Sequence, residues 1–68
     1  MDSYCVNRRA QESGDHEVHK EGCEFWPGAG NVHLLGSFAG CHGAVAAAKK
    51  IYPTADGCAF CSPDCHTG

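Results

Sequence analysis

The chain has 68 residues, a formal net charge of −3 and 6 cysteines. That length admits one domain, residues 1–68, and a domain so short buries only roughly 60% of the surface of its unfolded chain, so a staple is expected beside the apolar core. The basic residues are confined to Arg8, Arg9, Lys20, Lys49 and Lys50, which disfavours a nucleic-acid partner, and no apolar run is long enough to cross a membrane. No positively charged start followed by an apolar stretch marks a secretory signal, so a cytoplasmic monomer is the expectation.

Residues 4–8 carry β-prone Tyr4, Cys5 and Val6 and read as a first strand. Ser13, Gly14 and Asp15 read as a turn. Residues 16–20 then form a second strand, with Val18 toward the core, and the two strands make a hairpin. Residues 22–30 combine Cys23, Phe25, Trp26 and Pro27 with glycines and read as an ordered loop whose aromatics lie over the core. Residues 32–35 form a third strand that Gly36 ends.

From 41 to 52, Cys41, Ala44, Val45, Ala48 and Tyr52 recur at spacings of three and four, the stripe of an amphipathic helix. Ser37 or Gly40 caps its start, Lys49 and Lys50 suit its negative end, and Pro53 stops it. A turn at 54–57 leads to a short strand or knuckle at 58–61, and Ser62, Pro63 and Asp64 begin a helical stub carrying Cys65 and His66. The fold class is therefore α+β: a small antiparallel sheet of three to four short strands, one helix and a C-terminal CxxC knuckle.

Cys58-Ala59-Phe60-Cys61 is the strongest chemical signal, because a CxxC turn aims two thiolates at one ion about 2.3 Å from each sulfur. A tetrahedral site needs two further ligands. His19 and Cys23 supply the preferred pair, where a strand runs into a loop, and joining them to the CxxC closes a long loop, where a clip stabilises most. The expected cofactor is thus a structural Zn²⁺ held by His19, Cys23, Cys58 and Cys61, with Cys65 and His66 as alternate ligands.

The order His-x3-Cys, strand, Ala-rich helix, CxxC over residues 16–61 resembles the metal-binding module of the Ada-type DNA-repair proteins and of some bacterial nuclease tails. That resemblance implies a metal-binding module. Cys41, Cys65 and His66 are extra to the Ada-like pattern, and the basic residues around its late CxxC are missing, so DNA repair does not carry over. The wider pattern, Tyr4-Cys5-Val6-Asn7, Gly14-Asp15-His16-Glu17-Val18-His19 and residues 57–66, resembles a group of short uncharacterised bacterial Cys/His-rich proteins and brings no activity with it.

Six cysteines also admit a disulfide framework with 15 connectivities, which reducing cytosol would keep open. Within that framework Cys41 and Cys65 are the pair that best suits a disulfide or two buried thiols, and Cys5 reads as an ordinary strand residue. His16-Glu17-Val18-His19 places its histidines three apart, not the four of a zinc-protease helix, so no catalytic constellation is recognised and His16 reads as solvent-facing. His33 and His42 read as strand-face and helix-surface residues.

Phe25 and Trp26 are the candidate partner-binding residues, although a Trp in so small a chain suits the core. The expected role is a zinc-stabilised module that docks on a protein partner. The alternative is a thiol redox protein or sensor that cycles Cys58, Cys61 and Cys65.

Overall fold

The computed structural model describes residues 1–67. Strands β1 (Asp2–Asn7) and β2 (His16–Lys20) form an antiparallel hairpin with Cys5 opposite His19 and Val6 opposite Val18. Strand β3 (Val32–Phe38) pairs antiparallel with the other edge of β1, helix α1 (Cys41–Lys49) follows, and β4 (Ala55–Gly57) pairs with β2. The sheet order is β3-β1-β2-β4. This is the α+β class read from the sequence.

Three elements differ in detail. Gly36 does not end β3: it sits at φ +100° inside the strand, where the register shifts so that Leu35 has no partner opposite it on β1. Such a bulge needs a residue free to adopt positive φ, and it turns Leu35 and Phe38 against the core while Leu34 is left exposed. The segment 55–57, read as a turn, is a strand, and it runs parallel to β2, so the sheet is mixed. Helix α1 closes three residues before the expected 52, because Tyr52 precedes Pro53 and is kept out of helical geometry. The amides of Lys50, Ile51 and Tyr52 bond instead to Ala47 and Ala48 in a closing turn.

Alternation along the strands gives the sheet two unlike faces. Tyr4, Val6, Val18 and Ala55 point to one face and pack under Cys41, Ala44, Val45 and Ala48 of α1, with Leu35, Phe38 and Tyr52 at the margin. The alanines let the helix lie close to the sheet, at the cost of a small apolar core. Trp26 is not in that core: it stays half-buried in the 22–30 loop, and Tyr4, Phe38 and Tyr52 supply the large side chains under the helix. Cys5 and His19, also buried, point to the opposite face.

A disulfide joins Cys41, the first residue of α1, to Cys65 in a 3₁₀ turn (Pro63–Cys65). Cys65 lies directly on β4. A Cβ built on Gly57 would stand 2.7 Å from the Cys65 Cβ and 2.8 Å from the Ser62 carbonyl oxygen. Neither neighbour is a flexible chain end, so Gly57→Ala is expected to destabilise the domain by about 2 kcal/mol or more. Thermal denaturation checks this, and an unchanged melting temperature would contradict the packing described.

Candidate metal centre

The buried pair on the helix-free face is the foundation of a sulfur-rich site. His19 is 1% exposed, and its ring cannot reach water, so burial lowers its pKa from the usual 6.5, against a smaller opposing pull from Glu17. The imidazole is therefore neutral at pH 7 and offers a lone pair. Its Nδ1 lies 3.7 Å from Cys23 Sγ and 3.9 Å from Cys61 Sγ. With Cys58, which is 1% exposed, the four donor atoms all lie within 4.8 Å of one another.

Each donor is set by local structure. His19 is fixed by the β1–β2 ladder. Cys23 follows a turn closed by its own amide on the Lys20 carbonyl at 3.1 Å, and its carbonyl accepts from Trp26 at 3.0 Å. Cys58 leaves β4 with its amide bonded to Val18 O at 2.9 Å, and the CxxC turn closes by Ser62 N–H on Cys58 O at 2.9 Å. The parallel pairing of β4 with β2 therefore brings the knuckle to the end of the strand that carries His19.

The distances decide what the cluster can do. Zn–S of about 2.3 Å and Zn–N of about 2.0–2.1 Å make tetrahedral edges of about 3.6 Å for N···S and 3.8 Å for S···S. The two N···S separations match those edges to within a few tenths of an ångström. The charges point the same way. Burial, with the neighbouring Cys61 and Cys58, pushes the Cys23 thiol up to about 12, whereas Cys61 is lowered. Burial opposes ionisation at Cys61 too, but the Lys20 N–H, donated to Cys61 Sγ at 3.3 Å, and the Cys23, Ser62 and Cys58 groups outweigh it. The surroundings thus favour ionisation at Cys61 and oppose it at Cys23, so Cys23 needs a cation beside it to join as a thiolate.

The group could hold a metal ion, and its soft donor set suits zinc. The remaining His19 nitrogen, Nε2, stands 3.7 Å from Glu17 Oε1, too far for a hydrogen bond. Period-two spacing puts Glu17 on the same strand face as His19, and that signal was readable in the sequence. Cys5, read as an ordinary strand residue, is wholly buried beside the site; its thiol is pushed up to about 11, chiefly by burial.

The alternate ligands lie elsewhere. Cys65 cannot complete the site because its sulfur is bonded to Cys41, and that bond also removes it from a three-cysteine cycle with Cys58 and Cys61. His66 directs Nδ1 to Gly57 O at 3.0 Å, with Asp56 Oδ2 at 3.4 Å. His16, three residues before His19, projects to the other face, where it stacks on Tyr52 at 3.9 Å instead of facing solvent, and pairs with Asn7 O. His33 and His42 are exposed.

Beside the cysteines, Phe25 packs against Phe60 of the CxxC turn with ring centroids 4.7 Å apart and planes tilted by 35°, and both are exposed. Phe60 was not singled out from the sequence, although the middle of a CxxC turn faces outward by construction. Beside this pair, an open depression is lined by Lys20, Glu21, Cys23, Glu24 and Cys61. Among the described residues no helix is long and apolar enough to cross a membrane. Comparison of the chain with protein-family models, with curated proteins and with solved structures finds no match.

Proposed function

We propose that the protein is a zinc-stabilised module in which His19 Nδ1, Cys23, Cys58 and Cys61 hold one Zn²⁺, and that it docks on a protein partner. The ion would clasp the hairpin to the knuckle and neutralise the sulfurs. The observation that carries the reading is the convergence of four donors from both halves of the chain, all within 4.8 Å of one another, with the two His19 N···S separations matching the edges of a tetrahedron. The ligand order His-x3-Cys before CxxC supports kinship with Ada-type modules as part of the same proposal.

The docking face is the Phe25/Phe60 pair with Trp26 beside it. Glu21 and Glu24 flank it and outnumber the one cation there, Lys20, so the partner presents an apolar side chain beside basic residues. The protein works as a monomer in the cytoplasm, where the zinc thiolates persist and where the Cys41–Cys65 bond is open to reduction.

Zinc titration of the chain with its disulfide intact is expected to give one equivalent, lost in His19→Ala. Because the Cys23 proton must leave whenever the ion binds, apparent affinity should fall at least tenfold for each unit by which pH is lowered through neutrality. A folded protein that takes no zinc, or binds it equally well without His19, refutes the reading.

A further inference from the structure

We propose that reduction of the Cys41–Cys65 disulfide uncovers a second metal site, formed by the two thiolates and the His42 imidazole and suited to a thiophilic ion such as Zn²⁺. The two sulfurs and a His42 ring nitrogen lie within 4.8 Å of one another, on the opposite side of the sheet from the His19 cluster.

Three features make the reduced pair a binding site. The Cα–Cα distance of 6.2 Å lies in the upper part of the range that a disulfide spans. Side-chain rotation alone can then part the sulfurs to the roughly 3.8 Å separation of two thiolates on one zinc. Cys41 opens α1, where the helix amides favour a thiolate. His42 is exposed, and among the described residues its ring has no hydrogen-bond partner, so it can turn toward the sulfurs. A surface cavity of about 320 Å³ runs past His42, Asp64 and Cys65, leaving room for the ion and for water or the Asp64 carboxylate as a fourth ligand.

The chemistry balances with a dithiol reductant. One of its thiolates attacks a disulfide sulfur, the other resolves the mixed disulfide, and the two electrons pass to Cys41 and Cys65 as thiols while the reductant becomes a disulfide. Metal binding then releases both protons. In the laboratory a phosphine serves instead, taking oxygen from water as it delivers the two electrons.

The test counts Zn²⁺ by native mass spectrometry and measures affinity by competition with a chromophoric chelator, on oxidised and phosphine-reduced protein. The reduced chain is expected to bind one ion more than the oxidised chain. His42→Ala, at an exposed position that leaves folding intact, should weaken that additional ion at least tenfold, and Cys41→Ser/Cys65→Ser should abolish it. The gain is a difference between two redox states of the same chain with its first site loaded, so its failure would leave the first ion's count unchanged and the two readings are separable. Equal counts in the two states, or full affinity without His42, overturn the proposal.

Discussion

Chelating the proposed zinc at pH 7, or replacing Cys58 by Ser, is expected to abolish the cooperative thermal transition. The physical reason is the size of what remains. Under α1 the fully buried aliphatic side chains are Val6, Val18, Ala44 and Ala48, and most of the larger apolar groups are only partly covered. At about 25 cal/mol per Å² such a core roughly cancels the entropy of ordering a chain of this length. A structural zinc contributes apparent binding energy of about 10–16 kcal/mol, more than the whole net stability of an ordinary domain.

Serine at 58 keeps the backbone amide that bonds to Val18 O, so the variant removes the sulfur ligand and leaves the β2–β4 bond in place. Circular dichroism with and without a chelator reads the result, and His33→Ala, at an exposed position on β3, should melt as the parent does. The same melting temperature with and without chelator would show that the domain coheres by other means. Acid should act in the same direction. His19 is neutral in the fold with a lowered pKa, so below its usual 6.5 the unfolded chain takes up the proton first and stability falls as pH falls.

Breaking the Cys41–Cys65 link, by Cys41→Ala/Cys65→Ala, is expected to lower the melting temperature by about 12–24 °C. The two residues are 24 apart, and freeing a loop of that length returns about 3 kcal/mol of entropy to the unfolded chain. For a domain of this size each kcal/mol moves the transition by about 4–8 °C. Calorimetry of the variant checks the value; a shift of only a degree or two would mean that α1 and the C-terminal turn are held together without the bond. Phosphine reduction of the parent gives the same loss, and excess Zn²⁺ restores part of it if the reduced pair and His42 take an ion.

Much of the fold was legible because its residues carry a period. Cys41, Ala44, Val45 and Ala48 define a helical face with no other reading, and Val6 and Val18 mark a hairpin. Ala55-Asp56-Gly57 carries no such mark: none of the three favours a strand, and only the partner β2 makes them one. Gly36 had two meanings, terminator or bulge, and the choice rests on how Tyr4 and Cys5 meet β3. Trp26 was weighed as a partner contact and as core, the latter because other large side chains are scarce, yet Tyr4, Phe38 and Tyr52 take the places under the helix and Trp26 stays half-buried in its loop.

The candidate site was legible where chemistry restricts the choice. His19, Cys23, Cys58 and Cys61 stood out by type and spacing, and they are the residues that lie together. What surrounds them was not: the Lys20 amide on Cys61, the burial of Cys5 and the aromatic cover from Phe60 depend on how strands and loops stack. Cys65 competed with His19 on paper because linear distance is silent about which side of a sheet a residue reaches.

The parallel pairing of β2 with β4 has a consequence for how the molecule is made. His19 and Cys23 are synthesised before the strand and the knuckle that complete their surroundings. A nascent chain that stops short of β4 thus presents only two of the four donors of the proposed centre, and the other two join them when β4 has threaded alongside β2.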